Sequence, residues 1–242
     1  MTRRSILALN AGSSSIKFAL YDLASSQDLQ LVSRGMLDLG DTPTLRAKAA
    51  DGTVVAHLGN GASLCALQQG KSIDTTMGFS ALDGLVMGTR CGAIDPGVLL
   101  HFLLERGIAA EELQTMLYEK SGLLGVSGIS GDMRTLEGSN DPRAQEAMAL
   151  FAFRAAREAA ALANTMGGLE CLVFTAGIGE RSASIRKAIC EKLTWLGVVL
   201  EERANDIHAE IISRPESKVE VRVIATDEES VVARHSRKVM QA

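Results

Sequence analysis

The sequence predicts an α/β protein in which strands and helices pack in layers, and three observations lead to that class. Short apolar runs typical of strands recur along the chain, and stretches with helical periodicity and recognisable end signals lie between them. The third observation is the composition, because 242 residues with 46% apolar and 22% charged residues are typical of a soluble globular protein. Collagen-like, coiled-coil and disordered chains are excluded, and the length suits one large domain or two small ones.

The first predicted strands form a hairpin. Residues 6–9 are a continuous apolar run, residues 16–21 alternate, and the polar, glycine-containing stretch 10–15 separates them. Further apolar runs predict strands at residues 54–58, 172–174 and 219–224.

Helix end signals lie between these strands. Asp141 can cap a helix with Pro142 at its first position, and the alanine-rich stretch that follows stops at Gly167. A second helix is predicted from Ser184 to Gly197, with its apolar stripe formed by Ile185, Ala188, Ile189, Leu193 and Leu196.

Residues 38–53 contain few large apolar side chains and are predicted to be a connection. The predicted domains are therefore 1–53, the remnant of an N-terminal domain that carries the hairpin, and 54–242. The first is too short to bury its own core, so it must pack against the remainder or against another chain.

Charge and cysteine content exclude several functions. The net charge of −4 and the isoelectric point near 5.6 predict no nucleic-acid partner and no binding to an anionic membrane. The four cysteines form no C-x-x-C pair, which predicts reduced thiols. No apolar run reaches the length of a membrane span, and we expect a cytoplasmic protein.

Four short segments combine glycine with small polar or charged residues beside apolar strands, namely 10–15, 57–63, 127–134 and 176–180. Glycine lets the backbone approach an anion closely, so each segment is either an ordinary turn or a phosphate-binding loop. The Walker and dinucleotide signatures fail, since Cys65 stands where the first Walker glycine belongs and the run at 176–179 lacks a third glycine. A Ser-His-Asp hydrolase stays open as a remote alternative, because geometry rather than sequence sets a triad.

Charged residues accompany these loops. Lys17 lies on the strand face opposite Ile16 and Phe18, where it either reaches a bound phosphate or faces solvent. Arg90 lies between two glycines and before the helix start at Asp95, so its guanidinium either binds phosphoryl oxygens or forms a surface salt bridge. The acidic run 227–229 either holds Mg²⁺ or favours the start of a last helix.

The glycine-rich segments belong to a longer series of short motifs: LNAGSSSIKF at 9–18, HLGNGAS at 57–63, GKSIDTTMGF at 70–79, MGTR at 87–90, SGLLG at 121–125, DMR at 132–134, FTAGIGE at 174–180 and TDEE at 226–229. This series resembles the acetate kinase family, whose members are ATP-dependent kinases of small carboxylates. The resemblance covers nearly everything outside residues 25–53. It implies an actin/hexokinase/Hsp70-like (ribonuclease H-like) nucleotide-binding fold with the first domain incomplete.

The resemblance also implies direct in-line transfer of a phosphoryl group from ATP to acetate with Mg²⁺, and a role for each matched residue. Asn10 and Glu228 would hold the magnesium, and Arg90 would stabilise the transferring phosphoryl group. The phosphates would be lined by Lys17, His57, Leu58, Gly59, Asn60 and Gly61. The nucleoside would be surrounded by Asp132, Met133, Arg134, Gly177, Ile178, Gly179, Glu180 and Arg181. A homodimer built through the C-terminal portion is expected.

The chain departs from the family pattern between Thr53 and Ala56, where it skips a stretch more than half its own length. Three family segments that would supply an arginine, an aspartate and a histidine at the carboxylate site are absent, and no His-Gly pair occurs. Smaller departures are Arg181, Cys91 and Ala93, where the family commonly has asparagine, serine and aspartate. The alternative hypothesis is therefore a catalytically inactive nucleotide-binding remnant.

Overall fold

A computed structural model describes residues 52–227 with their side chains and, before them, the backbone of three strands. The chain divides into two units, Met1–Leu45 with Ala225–Ala242 and Arg46–Ile224. The division of the chain into domains 1–53 and 54–242 remains a prediction from the sequence. The predicted connection at 38–53 lies almost wholly outside the described residues.

The strands of the first unit form an antiparallel meander: β1 (Ser5–Ala11), β2 (Ile16–Asp22) and β3 (Gln30–Gly35). The predicted hairpin is thereby confirmed, whereas β3 was not predicted from the sequence. In the register of β1 and β2, Asn10 is the cross-strand partner of Lys17. One backbone pair thus carries a predicted magnesium ligand and a predicted phosphate ligand.

The second unit contains a five-stranded sheet in the order β6-β5-β4-β7-β8. Its strands are β4 (Thr53–Leu58), β5 (Ala62–Gln68), β6 (Lys71–Thr75), β7 (Cys171–Thr175) and β8 (Glu220–Val223). The first three pair antiparallel, and β7 runs parallel to both β4 and β8. The predicted strands at 54–58, 172–174 and 219–224 are confirmed, and β5 and β6 are additions.

Side-chain alternation places the core on one face of this sheet. From Val54 on, the buried residues of β4 recur at every second position, as those of β5 do, which is expected for strands with one covered face. Leu58, Leu64 and Phe174 belong to the main core, together with the buried stripe of the longest helix. A smaller apolar cluster of Cys171, Val173 and Ile224 lies apart from that core.

The helices are α1 (Pro96–Leu100), which continues as a π-helix (His101–Glu105), α2 (Ala110–Glu119), α3 (Gly122–Ser127), α4 (Met133–Glu137), α5 (Pro142–Met166), α6 (Ala176–Arg181), α7 (Ala183–Lys192), a 3₁₀ turn (Thr194–Leu196) and α8 (Glu202–Asp206). The ends of α5 are as predicted, with Asp141 as N-cap and Gly167 left-handed at the C-cap. The start of α1 after Asp95 is also confirmed. None of the helices in residues 52–227 combines the length and apolar content that a membrane span requires.

Two sequence predictions need correction. The helix predicted from Ser184 begins at Ala183, because the Ser182 hydroxyl accepts a hydrogen bond from the Ile185 amide at 3.1 Å, and it ends at Lys192, before the 3₁₀ turn. The glycine segment 176–180 was predicted to be a turn or loop and is helix α6. A carboxylate oxygen of Glu180 accepts from the Ala176 amide at 2.9 Å and so satisfies a donor at the start of that helix.

Candidate active site

The predicted site segments of the second unit meet at one edge of the sheet. The parallel strands β4 and β7 end side by side, with His57 opposite Thr175 in their register. The turn after β4 and helix α6 after β7 therefore start at the same edge. In open α/β sheets, ligands bind outside the carboxyl ends of parallel strands.

The turn between β4 and β5 is the first component. The Gly59 amide donates to the Gly61 carbonyl at 3.0 Å, which closes the turn. The Asn60 carbonyl accepts from the Gly88 amide at 2.9 Å, so the turn is joined to the segment that precedes Arg90. The Leu58 side chain is fully buried in the core, so this residue can offer a ligand only its backbone.

The backbone around Arg90 is fixed by its neighbours. The Met87 amide donates to the Arg90 carbonyl at 3.1 Å, which makes residues 87–90 a tight turn. Amides at the start of α3 satisfy the turn's carbonyls, with Leu123 donating to Met87 at 2.8 Å and Leu124 to Gly88 at 3.0 Å. Arg90 therefore projects from a rigid support.

The Arg90 guanidinium lies against the β4–β5 turn. A Cβ added at Gly61 would come within 3.0 Å of Nη2 of Arg90, so the absent side chain leaves room for the guanidinium. Nη1 donates to the Ala81 carbonyl at 2.8 Å. Because this carbonyl acceptor is neutral, it does not cancel the positive charge of the guanidinium. Binding of an anion requires such a charge.

The start of α4 lies close to the turn 87–90 that carries Arg90. A Cβ added at Gly131 would lie 2.8 Å from the Gly88 carbonyl oxygen, so the two backbones approach closely. Asp132 caps α4 by accepting from the Arg134 amide at 2.9 Å, and its carboxylate also pairs with the Arg134 guanidinium, with 2.7 Å between Nη2 and Oδ2. These bonds lower the pKa of Asp132 and keep it charged. The Met133 side chain is buried in the core.

Helix α6 is the remaining component of the candidate site. A Cβ added at Gly59 would lie 3.7 Å from the Ala176 side chain, and one at Gly179 would lie 3.4 Å from the backbone of Phe174 on β7. Gly177 and Arg181 are exposed, whereas Ile178 packs against the core. The helix thus packs against both the β4–β5 turn and strand β7.

The structure brings together the predicted residues of the second unit, namely the turn 57–61, Arg90, residues 132–134 and residues 177–181. Asn10 and Lys17 belong to the first unit, and Glu228 lies outside the described residues. Within residues 52–227 there is no cluster of three His, Cys, Asp or Glu side chains suited to a metal ion.

Sequence reasoning missed two groups that support this site, Glu137 and Arg186. Glu137 ends α4, and its Oε1 accepts from the Ser182 hydroxyl at 2.6 Å and from the Ser184 hydroxyl at 2.5 Å. Arg186 is fully buried beneath α6. Arg186 precedes Ile189 by three residues and Leu193 by seven, and this helical spacing, which puts it on the buried side of α7, is a signal that could have marked it.

Comparison with solved structures defines the class of fold. Acetate kinase from Porphyromonas gingivalis superposes with a TM-score of 0.75 at 37% identity, over 79% of this chain and 50% of that chain. A propionate kinase from Francisella tularensis gives a TM-score of 0.73 at 42% identity, over 78% of this chain and 49% of that one. The protein therefore has the actin/hexokinase-like α/β fold.

The sequence comparisons define the family. The model of the acetokinase family matches residues 44–234. Acetate kinase from Rhodopseudomonas palustris (strain TIE-1) is 55% identical over 200 residues, which cover 81% of this chain and 50% of the relative. The chain belongs to the acetokinase family, and it spans about half the length of the curated relatives it matches.

Proposed function

We propose that this protein is an ATP-dependent carboxylate kinase of the acetate kinase type, which converts ATP and acetate to ADP and acetyl phosphate. The observation that carries the proposal is the Arg90 guanidinium seated against the Gly61 turn, where the segments predicted to bind phosphate and nucleoside meet. The relatives named above as acetate and propionate kinases support the choice of substrate class.

In the proposed reaction an acetate oxygen attacks the γ-phosphorus of ATP while the bond to the β–γ bridging oxygen breaks, so that ADP leaves. Catalysis of such a transfer consists mainly of positioning and charge stabilisation. Arg90 supplies a cation for the equatorial phosphoryl oxygens, and the turn 57–61 lies against the phosphates. The resemblance to the family assigns Lys17 to the phosphates as well. Residues 132–134 and 177–181 contact the nucleoside.

Mg²⁺ would be held by Asn10 and Glu228. An amide oxygen and a carboxylate are hard oxygen donors of the kind that Mg²⁺ accepts beside substrate phosphates, so this donor set fits the ion. When bound, the ion would neutralise charge on the β- and γ-phosphate oxygens.

The second candidate is a nucleotide-binding protein without transferase activity. It is favoured by the junction between Thr53 and Ala56 and by the three segments expected at the carboxylate site that this sequence lacks. This candidate binds MgATP through the same residues and forms no acyl phosphate.

The remaining proposals concern assembly and location. We propose a cytoplasmic homodimer. The homodimer is supported by the apolar side chains that α1 and the following π-helix expose, including Leu100 and Leu104.

The test is trapping of acyl phosphate as hydroxamate from MgATP with acetate or propionate, using this chain and Arg90→Ala. For the kinase we expect product from the unaltered chain and a loss of about 10²–10³-fold in Arg90→Ala. Arg214→Ala, which removes an exposed arginine, is the matched control and should keep full activity. A folded chain that binds MgATP and forms no product would establish the second candidate instead.

A further inference from the structure

Arg186 on α7 is a fully buried cation, with an exposure of 0%. A guanidinium in the protein interior loses its hydration and is tolerated only where hydrogen bonds replace the lost water. Burial accordingly lowers its pKa. The acceptors that surround Arg186 therefore determine what it stabilises.

Two of these acceptors lie on α6. Nη1 of Arg186 donates to the carbonyl of Gly179 at 3.0 Å and to the carbonyl of Glu180 at 2.9 Å. The other bonds run to the α8 region, with Nε donating to Oδ1 of Asn205 and Nη2 to its carbonyl, both at 2.7 Å, and with 2.9 Å between Nη2 and Nδ1 of His208. All of these acceptors are neutral, so the arginine joins backbone segments rather than forming an ion pair with them.

Helix α6 depends on such external support. It has six residues, and a helix of that length is not stable in isolation. The carbonyls of its last turn have no partners within the helix, and Arg186 satisfies two of them from outside. A positive charge near the C-terminus of a helix is also favourable for the helix dipole.

Arg186 is one of several contacts that join α7 to α8, since Nδ2 of Asn205 donates to the Ala183 carbonyl at 2.9 Å and the neighbouring Lys187 forms a further contact. Nζ of Lys187 bonds Oε1 of Glu202 on α8 at 2.7 Å, and it does so at the surface. What Arg186 adds is the contact with α6. That contact lies under the segment 177–181, which the proposed function assigns to the nucleoside.

We propose that Arg186 is a positioning residue that holds the last turn of α6 in the conformation required by the bound nucleoside. The inference rests on the proposed nucleotide binding. Arg186 itself is buried behind the helix and does not touch the nucleotide, so its effect is transmitted through the backbone of residues 179–180.

The experiment is calorimetric titration of MgATP into the full chain and the variants Arg186→Lys, Arg186→Met and Lys187→Met. We expect the dissociation constant to rise about tenfold in Arg186→Lys, because an ammonium cannot reproduce the fork that joins two carbonyls to Asn205. A larger rise is expected in Arg186→Met. Lys187→Met, the matched control, should bind like the unaltered chain.

Two further measurements separate positioning from general stability. Hydrogen exchange of the amides at 179–182 should accelerate in Arg186→Lys, which remains testable if Arg186→Met does not fold. If the kinase is active, KM for ATP should rise while KM for acetate stays unchanged.

A lowered melting temperature with an unchanged MgATP dissociation constant in Arg186→Lys would overturn the inference and leave the proposed function standing. An unaltered chain that is folded and binds no MgATP would overturn both.

Discussion

Two helices of the second unit, α4 and α5, begin with the same arrangement of side chains. Asp132 and Asp141 each accept from the backbone amide two residues later at 2.9 Å, and each carboxylate pairs with the arginine at that position, Arg134 or Arg143, with 2.7 Å between Nη2 and Oδ2. One helix lies at the candidate site, and the other forms much of the core. The Asp-x-Arg fork is therefore a capping structure, and it does not by itself indicate a ligand.

The surroundings of the two forks differ. The α4 fork follows Gly131, where an added Cβ would lie 2.8 Å from the carbonyl oxygen of Gly88 in the turn that carries Arg90. The α5 fork begins a helix of 25 residues whose buried stripe fills the core. The assignment of Asp132 and Arg134 to the nucleoside consequently depends on the position of α4, and the following variants test that dependence.

The largest expected effect is that of Gly131→Ala. The new Cβ would lie 2.8 Å from the Gly88 carbonyl oxygen, so one of the two backbones must move. We expect a destabilisation of about 1–3 kcal/mol and a loss of most MgATP affinity, measured by denaturant unfolding and calorimetry.

Gly138→Ala, at the other end of α4, is the control for that variant. Its Cβ would meet the Arg134 carbonyl oxygen at 3.5 Å, an ordinary contact, so both measurements should stay near those of the unaltered chain. Equal behaviour of the two alanine variants would mean that the approach of α4 to Gly88 is not required.

The second comparison removes the arginines. Arg134→Ala should raise the MgATP dissociation constant about 10- to 100-fold, since a hydrogen bond to a charged group contributes on the order of 1.5–3 kcal/mol. Arg143→Ala, which deletes the matching guanidinium on α5, should leave the dissociation constant unchanged. Similar affinities in both variants would remove Arg134 from the site.

The third comparison removes the caps. Asp132→Ala and Asp141→Ala each expose amides at a helix start, so each should lower the melting temperature by a few degrees. We expect the larger drop for Asp141→Ala because α5 supplies much of the core, and for Asp132→Ala we expect faster hydrogen exchange confined to α4. A larger drop for Asp132→Ala would contradict this account of the two helices.

The same pair of helices shows what sequence could predict. The start and end of α5 follow from Asp141, Pro142 and Gly167, because caps act locally and their residue types are distinctive. The fork at Asp132 is equally local, but α4 was not predicted, since five residues give no measurable periodicity. Strand β5 was missed for a related reason, as its buried positions Ala62 and Ala66 are small and weaken the alternation.

The site could be predicted where glycines mark positions at which two segments of the chain approach each other closely. The turn 57–61 and the Arg90 segment were identified from their glycines and their charge, and the structure brings them together. Arg186 was not identified, because burial depends on tertiary packing and an arginine within a helix is ordinarily solvent-exposed. The helical conformation of 176–180 was missed because it depends on the Glu180 carboxylate reaching back to the Ala176 amide.

The smallest expected effect is a dependence of stability on acid pH that the two forks share. The hydrogen bonds from Arg143 lower the pKa of Asp141 from its usual 3.8 to about 2, and those from Arg134 lower the pKa of Asp132 in the same direction. Because the folded state holds the proton less tightly than the unfolded state, the stabilisation is complete above pH 3.8 and is lost as the pH falls towards 2. Asp141→Asn should therefore be less stable than the unaltered chain at pH 5, and the difference should shrink by pH 2 when melting temperatures are compared. Asp132→Asn should show the same convergence with a smaller amplitude, and a constant difference across this range would show that the charge of the fork makes no contribution.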